Sequence, residues 1–271
     1  MAPRSGAPRG RPDGGTLPGR WAADRLFLGD LGLGSVAAWR GDDRAVVVAV
    51  ERPGRVTLIG RGVSHEAVAH AADLVRDQTA RAGTAPVGWM SLPRGAEVPS
   101  TLLDATGLVP FSTWDAMTTD AVPPEVPGED DVVPLDPRAD GQAILACLAV
   151  ANPGSTARPR ADAEAGWWGV RGRAGLLGVI GATARAGRPG GSDLSWHLHG
   201  LGVRPSARRQ GWGAALTVAA VRAGLTDGAD WVSLGHYADN DDARRVYRRL
   251  GFTTEAEFAS FGPPRSTHPP G

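Results

Sequence analysis

The hydrophobic positions of the C-terminal half change spacing several times, and each change marks an element. Gly141–Ala151 reads as a helix. Residues 166–187, GWWGVRGRAGLLGVIGATARAG, read as two strands around the turn RGRAG, followed by a flexible loop, GRPGGSD, at 187–193. Ser195–Val203 alternates as a strand and stops before Pro205, and Gly213–Leu225 is predicted as a helix. The run WVSLGHY at 231–237 is a strand without alternation, as expected when both faces are covered. Asp241–Leu250 is a second helix closed by Gly251, and FTTEAEFASF returns as a strand.

The N-terminal half repeats this order more faintly. AVVVAVERPGRVTLIGRG gives two strands, SHEAVAHAADLVRDQTARAG a helix, PVGWMSL a strand, and PSTLLDATGLVPFSTWDAM a short helix, a glycine stop and a strand. LLDATGLVPFSTWDAM and VYRRLGFTTEAEFASF share a helix end, a glycine, an apolar residue and an aromatic-bearing strand, which indicates an internal duplication. Between the halves, DAVPPEVPGEDDVVPLDP breaks the periodicity with prolines and acids and reads as a linker. The expected organisation is a leader at 1–20, a first domain at 21–122, a linker at 123–137, a second domain at 138–262 and a tail at 263–271. Alternating strands and helices make the fold class α/β, layered, with each domain a mixed sheet flanked by helices.

Composition narrows the function. The chain of 271 residues balances 29 basic against 29 acidic side chains, so no net charge draws it to nucleic acid or to a membrane surface. Every basic residue is arginine. The single cysteine, Cys147, rules out an intrachain disulfide and a cysteine-rich zinc site, and a cytoplasmic setting is expected. The first twenty residues lack the apolar core of a signal peptide and, like the tail, read as disordered.

The chemistry concentrates in HLHGLGVRPSARRQGWG, residues 197–213. Arg208-Arg209-Gln210-Gly211-Trp212-Gly213 carries the chain from a strand into a helix, where unpaired amides at the positive end of the helix dipole make an anion site. Gly211 and Gly213 allow close approach, and Arg208 and Arg209 add cationic donors. A dinucleotide fingerprint fails, because Leu216 occupies its third small position and strand 231–237 carries no ribose-binding acid. A P-loop is excluded in a chain without lysine.

VRPSARRQGWGAAL resembles the acyl-CoA-binding motif V-x-P-x-x-R-x-x-G-x-G/A of the GNAT superfamily of N-acyltransferases, and NDDARRVYRRLGF, Asn240–Phe252, resembles that superfamily's later helix. The resemblance covers about residues 130–262 and implies acetyl-CoA as co-substrate with no metal. It implies that Leu201, Gly202 and Val203 contact the pantetheine arm through their backbone, and that the amides from Arg209 to Ala214 hold the pyrophosphate. Asn240 would hydrogen-bond the pantetheine, Ala243 would leave room for it, and Tyr247 would protonate the departing thiolate.

An amine nucleophile with a pKa of about 10 must lose a proton before it attacks a thioester, and histidine is suited to accept it. Strand alternation is expected to put His197, His199, Leu201 and Val203 on one face. HLHGLGV also resembles HLHALAV of the arylalkylamine N-acetyltransferases, where paired histidines are implicated in deprotonating the amine; His197 ranks above His199 here. A metal site from His197, His199 and His236 is the alternative, weakened by the lack of a nearby acidic ligand. Trp167, Trp168 and Trp196 are placed near the acceptor side. The acceptor loop is expected at ANPGSTARPRADAE, which mixes Arg158 and Arg160 with Asp162 and Glu164. The expected function is acetyl transfer to a primary amine, a small molecule, by a monomer or homodimer. The rivals are a non-catalytic acyl-CoA-binding or interaction module and a protein N-terminal or lysine acetyltransferase.

Overall fold

The computed structural model describes residues 17, 19–31, 36–80, 83–159, 164–186 and 194–269. Residues 1–16 of the expected leader, the loop 187–193, Arg160 and Asp162 lie outside these. The chain forms two compact units. One holds residues 1–115, 237–239 and 256–269; the other holds 116–236 and 240–255.

In the first unit, a short helix α1 (Arg25–Leu31) precedes strands β1 (Val36–Gly41), β2 (Ala45–Arg52) and β3 (Arg55–Gly62). Helix α2 (Ser64–Thr79), strand β4 (Val87–Pro93), helix α3 (Ser100–Thr106) and strand β5 (Val109–Thr119) follow. β1, β2 and β3 are antiparallel neighbours, β4 joins β3 in parallel through α2, and the last strand of the chain, β11 (Thr253–Gly262), joins β4 antiparallel. All six residues of Ala45–Val50 are fully buried. Ala45, Val47 and Ala49 face the cluster built on α2, and Val46, Val48 and Val50 pack with Trp21, Phe27 and Trp39. The apolar run AVVVAV is thus covered on both faces, and the second cover comes from Leu17–Trp39, where the sequence reading had no elements. The leader also ends earlier than expected, since Leu17 is buried and Gly19–Ala23 is a 3₁₀ turn.

In the second unit, strand β6 (Val132–Leu135) falls inside the segment read as a linker and pairs antiparallel with β7 (Glu164–Gly172). Arg222 anchors the rest of that segment by an ion pair with Glu129 at 2.6 Å and a hydrogen bond to the Pro123 carbonyl at 2.9 Å. Helix α4 (Gly141–Ala151), strands β8 (Gly175–Ala186) and β9 (Leu194–Val203), helix α5 (Trp212–Thr226), strand β10 (Trp231–Tyr237) and helix α6 (Asp241–Arg249) complete the unit. The strand order is β10-β9-β8-β7-β6, with β9 and β10 parallel across α5 and the other pairs antiparallel. One side of this sheet packs with α4 through Ile144, Cys147, Leu148, Trp167 and Val179, and the other with α5 and α6 through Trp196, Leu198, Leu216, Val221 and Tyr247. The fold is therefore a mixed α/β layering of sheet and flanking helices, as the residue pattern indicates. Among the described residues no helix is long and apolar enough to cross a membrane.

Candidate functional site

Two backbone irregularities in the second unit create the site. The first is in β9. Gly181 pairs with His199 but Val179 pairs with Gly202, so Gly200 and Leu201 together oppose Ile180, and Gly200 takes φ +60°. An extra residue with a left-handed glycine is a β-bulge, and it reverses the alternation downstream. His197 and His199 consequently lie on the α4 side with Trp167, whereas Leu201 and Val203 pack on the α5 side and Gly202 turns toward Ala151 and Asn152. The expectation that all four side chains share one face is corrected by this glycine.

The second irregularity is a splay. The parallel ladder of β9 and β10 runs from Ser195↔Trp231 to Leu198↔Leu234 and ends there. Among the described residues 199–203 pair with β8 alone, and their edge toward β10 has no ladder partner. The Asn152 side chain donates to the Leu201 carbonyl at 3.0 Å and fixes this stretch to the end of α4.

Beyond β9, Pro205–Ala207 makes a 3₁₀ turn, Arg209 adopts φ +64° and Gly211 φ +88° as the residue before α5. A left-handed non-glycine residue such as Arg209 is uncommon and marks a constrained loop. Among the described residues the amides of Arg209 to Gly213 have no backbone or side-chain acceptor, while Ala214 and Ala215 donate to the Gly211 carbonyl. A Cβ at Gly213 would meet no atom within 4 Å, so packing within the protein does not demand that glycine. Bare amides at a helix start beside an unfilled approach are what a phosphate requires. The two arginines differ from the sequence reading. Arg208 donates to the carbonyls of Val203 at 3.1 Å and Ala151 at 3.2 Å and so pins the loop, whereas the exposed Arg209 makes, among the described residues, a loose 3.9 Å contact with Asp242. Gln210 and Trp212 hydrogen-bond each other through their side chains at 3.3 Å, and the Trp212 ring covers Gly128.

Asn240 caps α6: its Oδ1 accepts from the Ala243 amide at 3.1 Å, which orients the side chain and leaves its amino group to donate to a ligand. Two turns on, Tyr247 is buried, with its ring 5.8 Å from those of both His236 and Phe252. Burial pushes the Tyr247 phenol up to about 12. A phenol of ordinary pKa protonates a thiolate only where the site raises the basicity of the thiolate or lowers the phenol pKa, and at Tyr247 the phenol shift runs the other way.

The two imidazoles are held differently. The Ser233 hydroxyl donates to the Trp196 carbonyl at 3.3 Å and faces His197 Nδ1 at 3.0 Å, so Nδ1 carries the hydrogen and Nε2 the lone pair. Burial, with the Arg185 charge and then His199 adding to it, holds the His197 pKa well below 6.5. His199 Nε2 is 3.1 Å from Glu164 Oε1, and its ring meets Trp167 edge-on at 5.3 Å. An acidic partner is therefore present, contrary to the sequence reading, which placed Glu164 in the acceptor loop. Among the described residues no three histidine, cysteine or acidic side chains form a metal-binding group. Trp168 and Trp196, paired 5.9 Å apart, pack in the α5-side core, so of the three tryptophans only Trp167 shares the face of the histidines.

Residues 146–252 match the sequence model of the Acetyltransferase (GNAT) family. This stretch is a GNAT-family domain. The chain is 39% identical over 74 residues to a mycothiol acetyltransferase from Arthrobacter sp. (strain FB24), a match covering 27% of this chain and 23% of that relative. It thus aligns with about a quarter of that protein's length. A GNAT-family structure from Novosphingobium aromaticivorans superposes with a TM-score of 0.50 at 19% identity, covering 82% of this chain and 90% of the other. A GNAT-family acetyltransferase from Colwellia psychrerythraea gives 0.50 at 13% identity over 91% and 90%. These two likenesses are of fold. The splay, the bulge and the glycine turn all fall within the GNAT domain.

Proposed function

We propose that the GNAT domain is an acyl-CoA-dependent N-acetyltransferase that moves an acetyl group from acetyl-CoA to a primary amine of a small molecule by direct attack. The observation that carries this reading is the continuity of the open β9 edge at 199–203 with the bare amides at 209–213. An extended pantetheine arm fits the first and a pyrophosphate the second. Leu201, Gly202 and Val203 would pair with the arm through their backbone, Asn240 would donate to it from the far side, and an amide of the bulge would face the oxyanion as it develops. The histidines on the α4 side would take the ammonium proton. Tyr247, neutral at any physiological pH, would donate a hydrogen bond to the leaving sulfur.

No nucleophile suited to a covalent intermediate supports a two-step route, since Cys147 is fully buried in α4 and burial raises its thiol pKa. The test is thiol release from acetyl-CoA across an amine panel that includes the acceptor of the mycothiol acetyltransferase. Turnover with at least one small amine is expected. Binding of acetyl-CoA without transfer to any amine would favour the non-catalytic module, and transfer only to peptides would favour the protein acetyltransferase.

A further inference from the structure

The Glu164–His199 pair is built rather than incidental. Glu164 opens β7 opposite Thr183, and Gly181 of β8 lies directly opposite His199. A Cβ at Gly181 would come within 2.5 Å of His199 Cε1 and 2.8 Å of the Trp167 ring, so this glycine makes the space in which the imidazole lies against Trp167. The Glu164 side chain is only 8% exposed, and its Oε1 sits 3.1 Å from His199 Nε2. A carboxylate accepts, so Nε2 carries the hydrogen and Nδ1 the lone pair. His199 Nδ1 and Glu164 Oε2 are both buried without a hydrogen-bond partner among the described residues. Each member of the pair thus keeps one spare acceptor, and a proton can be received there.

We propose that Glu164 is a positioning residue for proton removal: it fixes the His199 tautomer and stabilises the imidazolium, so that His199 rather than His197 takes the proton of the incoming amine. This rests on the amine-acyltransferase reading. An ammonium proton passes, directly or through water, to His199 Nδ1. The freed amine forms the N–C bond as the C–S bond breaks. A second nitrogen proton ends on the sulfur, and the imidazolium returns its own to solvent. Among the described residues, the titratable groups that share this face of the sheet are His197 on the same strand, Arg185 on β8, whose charge acts on His197, and the buried Cys147 on α4, packed in one cluster with Trp167; β10 brings the uncharged Ser233 to His197. Arg185 acts on the His197 side, where its charge opposes protonation.

Glu164→Gln keeps the shape and an acceptor oxygen but removes the charge. Its kcat should fall about tenfold to a hundredfold, with acetyl-CoA affinity unchanged and the acidic limb of the rate profile moved. Glu164→Asp should recover part of the loss, and adding Glu164→Gln to His199→Gln should cost nothing more. Nitrogen-15 NMR of the His199 ring, assigned through His199→Gln, should show the Nε2–H tautomer in wild type and a weakened preference for it in Glu164→Gln. A wild-type kcat and an unchanged ring tautomer in Glu164→Gln would overturn the proposal. If the wild-type chain binds acetyl-CoA but acetylates no amine, the functional reading fails, and the ring tautomer alone then decides on the pair.

Discussion

At the scale of residues, the site separates groups by what burial does to their charge. His197 is held neutral because desolvation and the nearby Arg185 both oppose its proton. A histidine whose folded pKa lies below its unfolded value of 6.5 contributes stability that is present above pH 6.5 and is lost as the pH falls toward the folded value. The melting temperature should therefore drop as the pH is lowered from 6.5, and His197→Gln should flatten that drop; an identical slope in the variant would contradict the assignment. Tyr247 shows the opposite case, with its neutral form protected up to a pH of about 12. Difference absorbance at 295 nm between wild type and Tyr247→Phe should place this titration near 12. Tyr247→Phe should lower kcat about tenfold or more while leaving acetyl-CoA affinity nearly unchanged.

At the scale of elements, most of the helices and strands of the GNAT domain are legible, because their periodicity is a local property. The helix starting after Gly211 and the strand 231–237 fall where the pattern puts them. What pattern alone misses is set by partners far along the chain. The prolines of 120–137 conceal β6, which exists because β7 offers it an edge. Glu164 gains its meaning only from the register that brings β7, β8 and β9 together. The bulge had a local signal, glycine at 200 and again at 202 inside a strand, yet simple alternation carries the reading past it. A side chain at Gly200 would face φ +60° and contacts of 2.9 Å with Ala157 and 3.0 Å with Trp167. Gly200→Ala should cost about 1–3 kcal/mol in urea unfolding and weaken acetyl-CoA binding by moving residues 201–203. Unchanged stability and affinity would show that the bulge is not required.

At the scale of the molecule, the two units share a local order of pairings. In the first, an antiparallel β2–β3 pair leads through α2 to the parallel β4; in the second, β8–β9 leads through α5 to β10. They part at the entry to the helix. Only Val63 separates β3 from α2, whereas eight residues, 204–211, separate β9 from α5 and form the amide cradle. Acetyl-CoA binding is therefore expected at one site per chain, in the second unit. The most direct test is calorimetric titration of acetyl-CoA into wild type and Gly213→Leu. Position 213 is helical, and its Cβ meets nothing within 4 Å, so the variant should melt no lower than wild type and gain up to about 1 kcal/mol of helix propensity. The account predicts one equivalent of acetyl-CoA bound to wild type and at least a tenfold loss of affinity in a fully folded Gly213→Leu, a change of about 1.4 kcal/mol. Equal binding to both proteins, or none to wild type, would contradict it.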